Sequence, residues 1–126
     1  MIKKMTMIIP LNPITKKNSA QIVTKKRTGR PMVIPSKAYR QYEKDCGYFI
    51  AGKGLKINYP VNLKAVYYRK DRRKVDLSNL HEALQDILVK YEVLEDDNYT
   101  IVASHDGSRV EIDRENPRTE IEITAK

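Results

Sequence analysis

The sequence predicts an α+β fold: a single domain, residues 1–126, with a mixed β-sheet and two main helices packed on one face. Three observations carry this expectation. A chain of 126 residues can bury one core without disulfides or a structural metal. Short apolar segments near both ends and in the middle suit strands, and two of them alternate with the strand period of two. Two longer segments between them carry apolar residues at helical spacing, and no repeat, linker or second-domain break is visible.

In chain order, residues 5–9 read as a short strand stopped at Pro10. Residues 11–31 are a long polar loop carrying Lys16, Lys17, Lys25, Lys26, Arg27 and Arg30, and its length suggests a functional loop or a hairpin around Thr28-Gly29. Residues 32–34 suggest a brief strand. Ser36 offers a helix N-cap, after which Tyr39, Tyr42, Cys46, Phe49 and Ile50 recur on one apolar face until Gly52 and Gly54 stop the helix. The tyrosines could stack on bases, but at this spacing core packing is the expectation, and Cys46 in the same stripe reads as a buried thiol.

Residues 61–68 form the expected central strand, with Leu63, Ala65 and Tyr67 on one side. The second helix is expected over 77–90, burying Leu77, Leu80, Leu84, Ile87 and Leu88, with Ala83 allowing close approach. A turn at Glu95-Asp96-Asp97-Asn98 precedes an expected strand over 100–103. Asp106-Gly107 suggests a hairpin turn, and the alternation over 118–124 a half-exposed final strand.

Charge is distributed unevenly. Residues 1–79 hold 19 Lys/Arg and 4 Asp/Glu, whereas residues 80–126 hold 5 and 12, within a net charge of +8. This asymmetry points to a polyanionic partner, nucleic acid before lipid, because no basic amphipathic helix with a Trp or Phe face is present. Cys46 is the only cysteine, which leaves no disulfide framework or zinc-ligand spacing and fits a reducing cytoplasm. Pro10 and Asn12 break the apolar start before it can act as a signal peptide, and no apolar run is long enough for a membrane helix. The expectation is a soluble intracellular protein without a membrane partner. No Gly-rich phosphate loop is present, so no nucleotide cofactor is expected, and no nucleophile elbow supports a serine hydrolase.

The chemistry concentrates in Asp71-Arg72-Arg73-Lys74-Val75-Asp76 and in the acidic turn beyond the second helix. Arg69, Lys70, Arg72, Arg73 and Lys74 can clamp phosphates, while converging carboxylates can hold a divalent metal that polarises one for attack by water. Asp76 stands where its carboxylate either caps the helix or points to a ligand. Asn79, Glu82 and Asp86 share the helix face opposite the leucines. A helix of this length spans about 20 Å, so Asp97 can approach Asp76 only if residues 90–94 double back along it. Taken singly, Asp76 is an ordinary N-cap and Asp96-Asp97 a solvated turn; the two together beside an arginine run point to a metal-dependent nuclease. His81 and His105 read as a helix-edge residue and a turn residue.

These residues resemble the RusA family of Holliday junction resolvases. The likeness rests on Asp71 to Leu77, then Asn79, Leu80, Ala83 and Asp86, then Leu94 to Asp97. It extends to the first strand ending at Pro10, to Lys17 and Asn18, and to the stretch from Gly29-Arg30 to Tyr39. The resemblance implies a small basic homodimer of α+β fold, often of phage or prophage origin, that binds four-way DNA junctions. With Mg²⁺ such a protein nicks two opposing strands symmetrically. It also implies that Asp76 and Asp97 are catalytic carboxylates, with Asp86, Asp96 and Asn79 at further polar positions of the motif; Asp76, Asp86 and Asp97 are the expected metal ligands. Two departures stand out. Ser78 occupies the place of another catalytic aspartate, and Glu82 that of a functional lysine. Retained activity is expected, with Glu82 or Asp86 supplying the missing oxygen. The alternatives are a non-catalytic junction or nucleic-acid binding protein, disabled through Ser78 and Glu82, and a basic RNA-associated structural protein.

Overall fold

The computed structural model describes every residue except 1, 17–19, 25–28 and 51–53, with side chains left aside for 20–24 and 31–35. Its elements are β1 (Lys4–Ile9), β2 (Ala20–Thr24), β3 (Pro31–Pro35), α1 (Lys37–Ile50), β4 (Val61–Arg69), α2 (Leu77–Lys90), β5 (Val102–Ser104), β6 (Arg109–Ile112) and β7 (Arg118–Ala125). The fold is the expected α+β domain, a mixed five-stranded sheet with two helices.

The sheet runs β1-β7-β4-β5, with β6 also on β4. β7 pairs antiparallel with both β1 and β4, while β5 and β6 pair parallel with β4. Alternation puts Val61, Leu63, Ala65 and Tyr67 of β4 and Ile121 and Ile123 of β7 into one core. Cys46 and Ile50 of α1 and Leu80, Leu84, Ile87 and Leu88 of α2 enter the same core. Both helices therefore cover one face, and burying this apolar surface is the main force holding them there. The suggested hairpin is present as the antiparallel pair β2–β3; residues 25–28 of its connection, Thr28 among them, lie outside the described residues, as does the expected helix stop at Gly52. Burial pushes the Cys46 thiol pKa up to about 12, as befits an inert core residue.

Several expectations are corrected. Asp106-Gly107 does not close a hairpin, because the flanking strands β5 and β6 do not pair with each other; both lie parallel along β4. The edge is one strand broken at 105–108, and side chains fill the break. Ser108 Oγ accepts from Ala65 N (3.0 Å), and Asn62 Oδ1 accepts from Asp106 N (2.8 Å) and from Ser104 Oγ (2.6 Å). Their cost would otherwise be unpaired ladder groups. β6 was not anticipated, because Arg109, Glu111 and Asp113 hide the strand signal under charge. The strand expected at 100–103 begins only at Val102, since Asn98 Oδ1 takes Thr100 N (2.9 Å) and the Asn98 carbonyl takes Ile101 N (3.0 Å) in a turn. Leu77 and Phe49 stand 37% and 41% exposed, at the first turn of α2 and the last turn of α1, where the apolar stripes run off the core.

Candidate active site

α2 is the platform on which the polar residues are arranged. At its start Asp76 has extended dihedrals (φ −86°, ψ 130°), and its backbone carbonyl accepts from Asn79 N and Leu80 N, both at 3.1 Å. Its carboxylate makes no capping hydrogen bond. Instead Oδ2 accepts from the Asn79 side-chain amide at 3.2 Å. The side chain is exposed at the positive end of the helix dipole, which favours an anion or a metal-bound phosphate there.

The basic segment before it is built rather than loose. Arg69 Nη1 donates to the Arg73 carbonyl (2.6 Å), and Asp71 Oδ1 accepts from Arg73 N (3.0 Å), curling residues 69–73 into a compact loop. Asn12 Oδ1 takes Lys70 N (2.8 Å), which ties this loop to the chain leaving β1. Arg69 is thus a brace as well as a cation, whereas Arg72 and Lys74 are exposed. Lys16 reaches α2 and pairs with Asp86. Lys17, Lys25, Lys26 and Arg27 lie outside the described residues.

The chain does double back beyond α2. Glu92 sits at φ 61°, Val93 N donates to the Leu88 carbonyl (2.9 Å) and Glu92 N to that of Val89 (3.1 Å), the pattern of a Schellman C-cap. Buried Val93 and Leu94 then anchor the return, and Ile57 clamps it through Ile57 N to the Val93 carbonyl (3.0 Å) and Glu95 N to its own carbonyl (3.0 Å). In the acidic turn that follows, Asp96 Oδ1 accepts from Asp97 N (2.7 Å) and Oδ2 from Asn98 Nδ2 (3.1 Å). Both Asp96 oxygens thereby shape the turn. Asp97 instead faces α2, where its Oδ2 lies 3.5 Å from Gln85 Nε2.

Sequence reading missed a group beside it. His81 is only 8% exposed and so is a buried residue, and its ring stacks on His105 with centroids 4.2 Å apart and planes 7° from parallel. His81 Nδ1 is hydrogen-bonded to the Tyr67 hydroxyl (2.7 Å), and His105 Nε2 to Gln85 Oε1 (2.5 Å). Burial, reinforced by His105, lowers the His81 pKa to about 4, and burial lowers that of His105. The available signal was the spacing of His81 and Gln85, one helical turn apart. Nothing in the sequence brings His105 to them.

Asp76, Asp86 and Asp97 therefore have different neighbours: an asparagine amide, a lysine and a glutamine amide. Among the described residues, no three Asp, Glu, His or Cys side chains gather closely enough to hold a metal by themselves. The Asp76 and Asp97 carboxylates are hard oxygen donors of the kind Mg²⁺ takes one or two at a time, completing its shell with water and phosphate. The donor chemistry fits such an ion.

A braced basic loop thus runs into the exposed Asp76 carboxylate, and the acidic turn returns to the same helix at Gln85. The model of the RusA endodeoxyribonuclease family matches residues 10–124, and the chain belongs to that family. It is a family of endonucleases that resolve Holliday junctions in DNA, generally with a divalent metal. Among curated proteins no match is found.

Proposed function

We propose that this chain is an active, Mg²⁺-dependent Holliday junction resolvase that works as a homodimer and nicks two opposing strands symmetrically. The observation that carries the reading is Asp76: at the N-cap of α2 it leaves the backbone uncapped and presents its carboxylate beside a cationic loop. Asp76 and Asp97 would hold the ion, which when bound polarises the scissile phosphate and offsets charge on the leaving oxygen. Arg72, Arg73 and Lys74 would grip neighbouring phosphates, with Arg69 holding their loop in shape, and Lys16, Lys17, Lys25, Lys26 and Arg27 are proposed as further phosphate contacts. Asp96 supports Asp97 by fixing the turn. Asp86, which is paired with Lys16 in this structure, is proposed as a further ligand of the ion. Two symmetry-related cuts call for two active sites about a two-fold axis, hence the dimer.

A second reading, a junction-binding protein without chemistry, draws on the same helix. Ser78 and Glu82 stand where the resemblance implies an aspartate and a lysine, and no three-ligand cluster is gathered among the described residues. Cleavage of an end-labelled four-way junction with Mg²⁺ and with EDTA decides between them. Paired symmetric nicks only with Mg²⁺ are expected. Tight junction binding without nicks would establish the second reading, and Ser78→Asp would then be the first variant to test for restored cutting.

A further inference from the structure

We infer that His105 and Gln85 form a positioning relay that aims Asp97; this rests on the proposed role of Asp97 as a metal-holding carboxylate. The argument starts at the buried end. Tyr67 is 1% exposed, and its hydroxyl is hydrogen-bonded to His81 Nδ1 at 2.7 Å. That bond fixes the His81 ring on α2. His105, in the break between β5 and β6, lies flat against it at 4.2 Å, which sets the plane of the second ring and brings its Nε2 to 2.5 Å from the Gln85 amide.

The hydrogen-bonding inventory then leaves one arrangement. The Asp97 carboxylate can only accept, so Gln85 must turn its NH₂ toward Oδ2, at 3.5 Å. The Gln85 oxygen consequently faces His105, whose Nε2 must carry the proton. The reverse amide orientation would set an oxygen against a carboxylate. A separation of 3.5 Å is at the outer edge of hydrogen bonding. Gln85 is thus held by a ring that is itself held by a second ring, and its remaining donor points at the one acidic side chain of the turn that faces α2. Gln85 and His105 touch no phosphate in this scheme. They act through Asp97, by limiting the orientations its carboxylate takes.

The experiment combines three single variants, the Gln85→Leu/His105→Phe double variant and an Asp97→Asn control with two readouts. Gln85→Leu removes the link, His105→Phe keeps a stacking ring without the donor, and His105→Gln keeps an N–H donor at a similar reach. The first readout, nitrogen NMR of the histidine rings, needs no activity: His105 is expected in the Nε2–H form, becoming a tautomer mixture in Gln85→Leu. The second is the Mg²⁺ concentration for half-maximal junction cleavage. Gln85→Leu and His105→Phe are each expected to raise it three- to tenfold with junction affinity in EDTA unchanged. His105→Gln should restore it to within twofold, and the double variant should be no worse than Gln85→Leu alone. An Nδ1–H His105 in the parent protein overturns the relay whatever the activity, and so do unchanged Mg²⁺ midpoints in both disabling variants. If Asp97→Asn cuts as well as the parent, the proposed role of Asp97 fails instead, and the tautomer readout still judges the hydrogen-bonded chain.

Discussion

Asp76 occupies a position where an aspartate ordinarily stabilises its helix, yet its carboxylate makes no capping bond and accepts instead from the Asn79 amide. Replacing it should therefore affect chemistry far more than folding. Asp76→Asn is expected to change unfolding free energy by less than about 0.5 kcal/mol, since Asn caps as well as Asp, while abolishing cleavage and sparing junction binding. Denaturant unfolding and parallel binding and cleavage assays on this variant check it, and full cleavage would remove Asp76 from the site. Glu92 presents the opposite case, a residue whose importance is purely conformational. It takes the left-handed position of the Schellman turn at φ 61°, which glycine fills without strain. Its ion pair with Lys56 spans 3.6 Å between exposed groups and adds little. Glu92→Gly is expected to stabilise the protein by about 0.5–1 kcal/mol, read as a higher denaturant midpoint.

At the scale of elements, the site depends on how α2 is seated. Its C-terminal end is tied to α1 by Lys90 to Glu43 (2.6 Å) and by the Tyr91 hydroxyl, which donates to the Glu43 carbonyl (3.1 Å). The Tyr91 ring lies over Gly47, where an added Cβ would meet it at 2.5 Å. Gly47→Ala should push the helices apart at this crossing and cost about 1–3 kcal/mol, measured as a lowered thermal midpoint. The contact between β4, α2 and the broken edge strand also sets a pH dependence. His81 has a pKa of about 4 in the fold against 6.5 outside it, so between these values the unfolded chain binds a proton that the folded chain does not. Stability from this group is complete above pH 6.5 and declines as pH falls toward 4, by up to about 3 kcal/mol. Unfolding curves at pH 7 and 4.5 should show the loss, and His81→Gln should reduce it.

Across the whole molecule, the basic charge of residues 1–79 and the acidic charge of 80–126 fall on opposite parts of the chain but not on opposite ends of the fold. β7, from the acidic half, lies between β1 and β4 from the basic half, and Lys4–Glu122 (3.6 Å) joins the two across the sheet. Arg72 and Lys74, in the loop between β4 and α2, are exposed and are proposed to meet the DNA. Junction affinity is expected to fall by roughly 10³-fold or more between 50 and 200 mM salt if six or more phosphates are contacted. A filter-binding series over that range tests this, and a flat response would exclude the basic surface as the binding face. Among the described residues no helix is long and apolar enough to cross a membrane.

The fold class, β4, α1 with its Ser36 cap, α2 and the final strand were all legible in the sequence, because each depends on local periodicity and capping chemistry. Ser36 Oγ does accept from Tyr39 N at 3.1 Å, as its position required. The basic-to-acidic run into Asp76 was legible for the same reason: charge order along a chain is a one-dimensional property. Tertiary structure alone decided that Asp106-Gly107 joins two strands on one edge of β4, that Asp97 returns to Gln85, and that His81 and His105 meet. These contacts join residues far apart in the chain, and they form only when core burial has fixed α2 against the sheet. No local pattern encodes that geometry, which is why a helix-edge histidine and a turn histidine became one stacked pair.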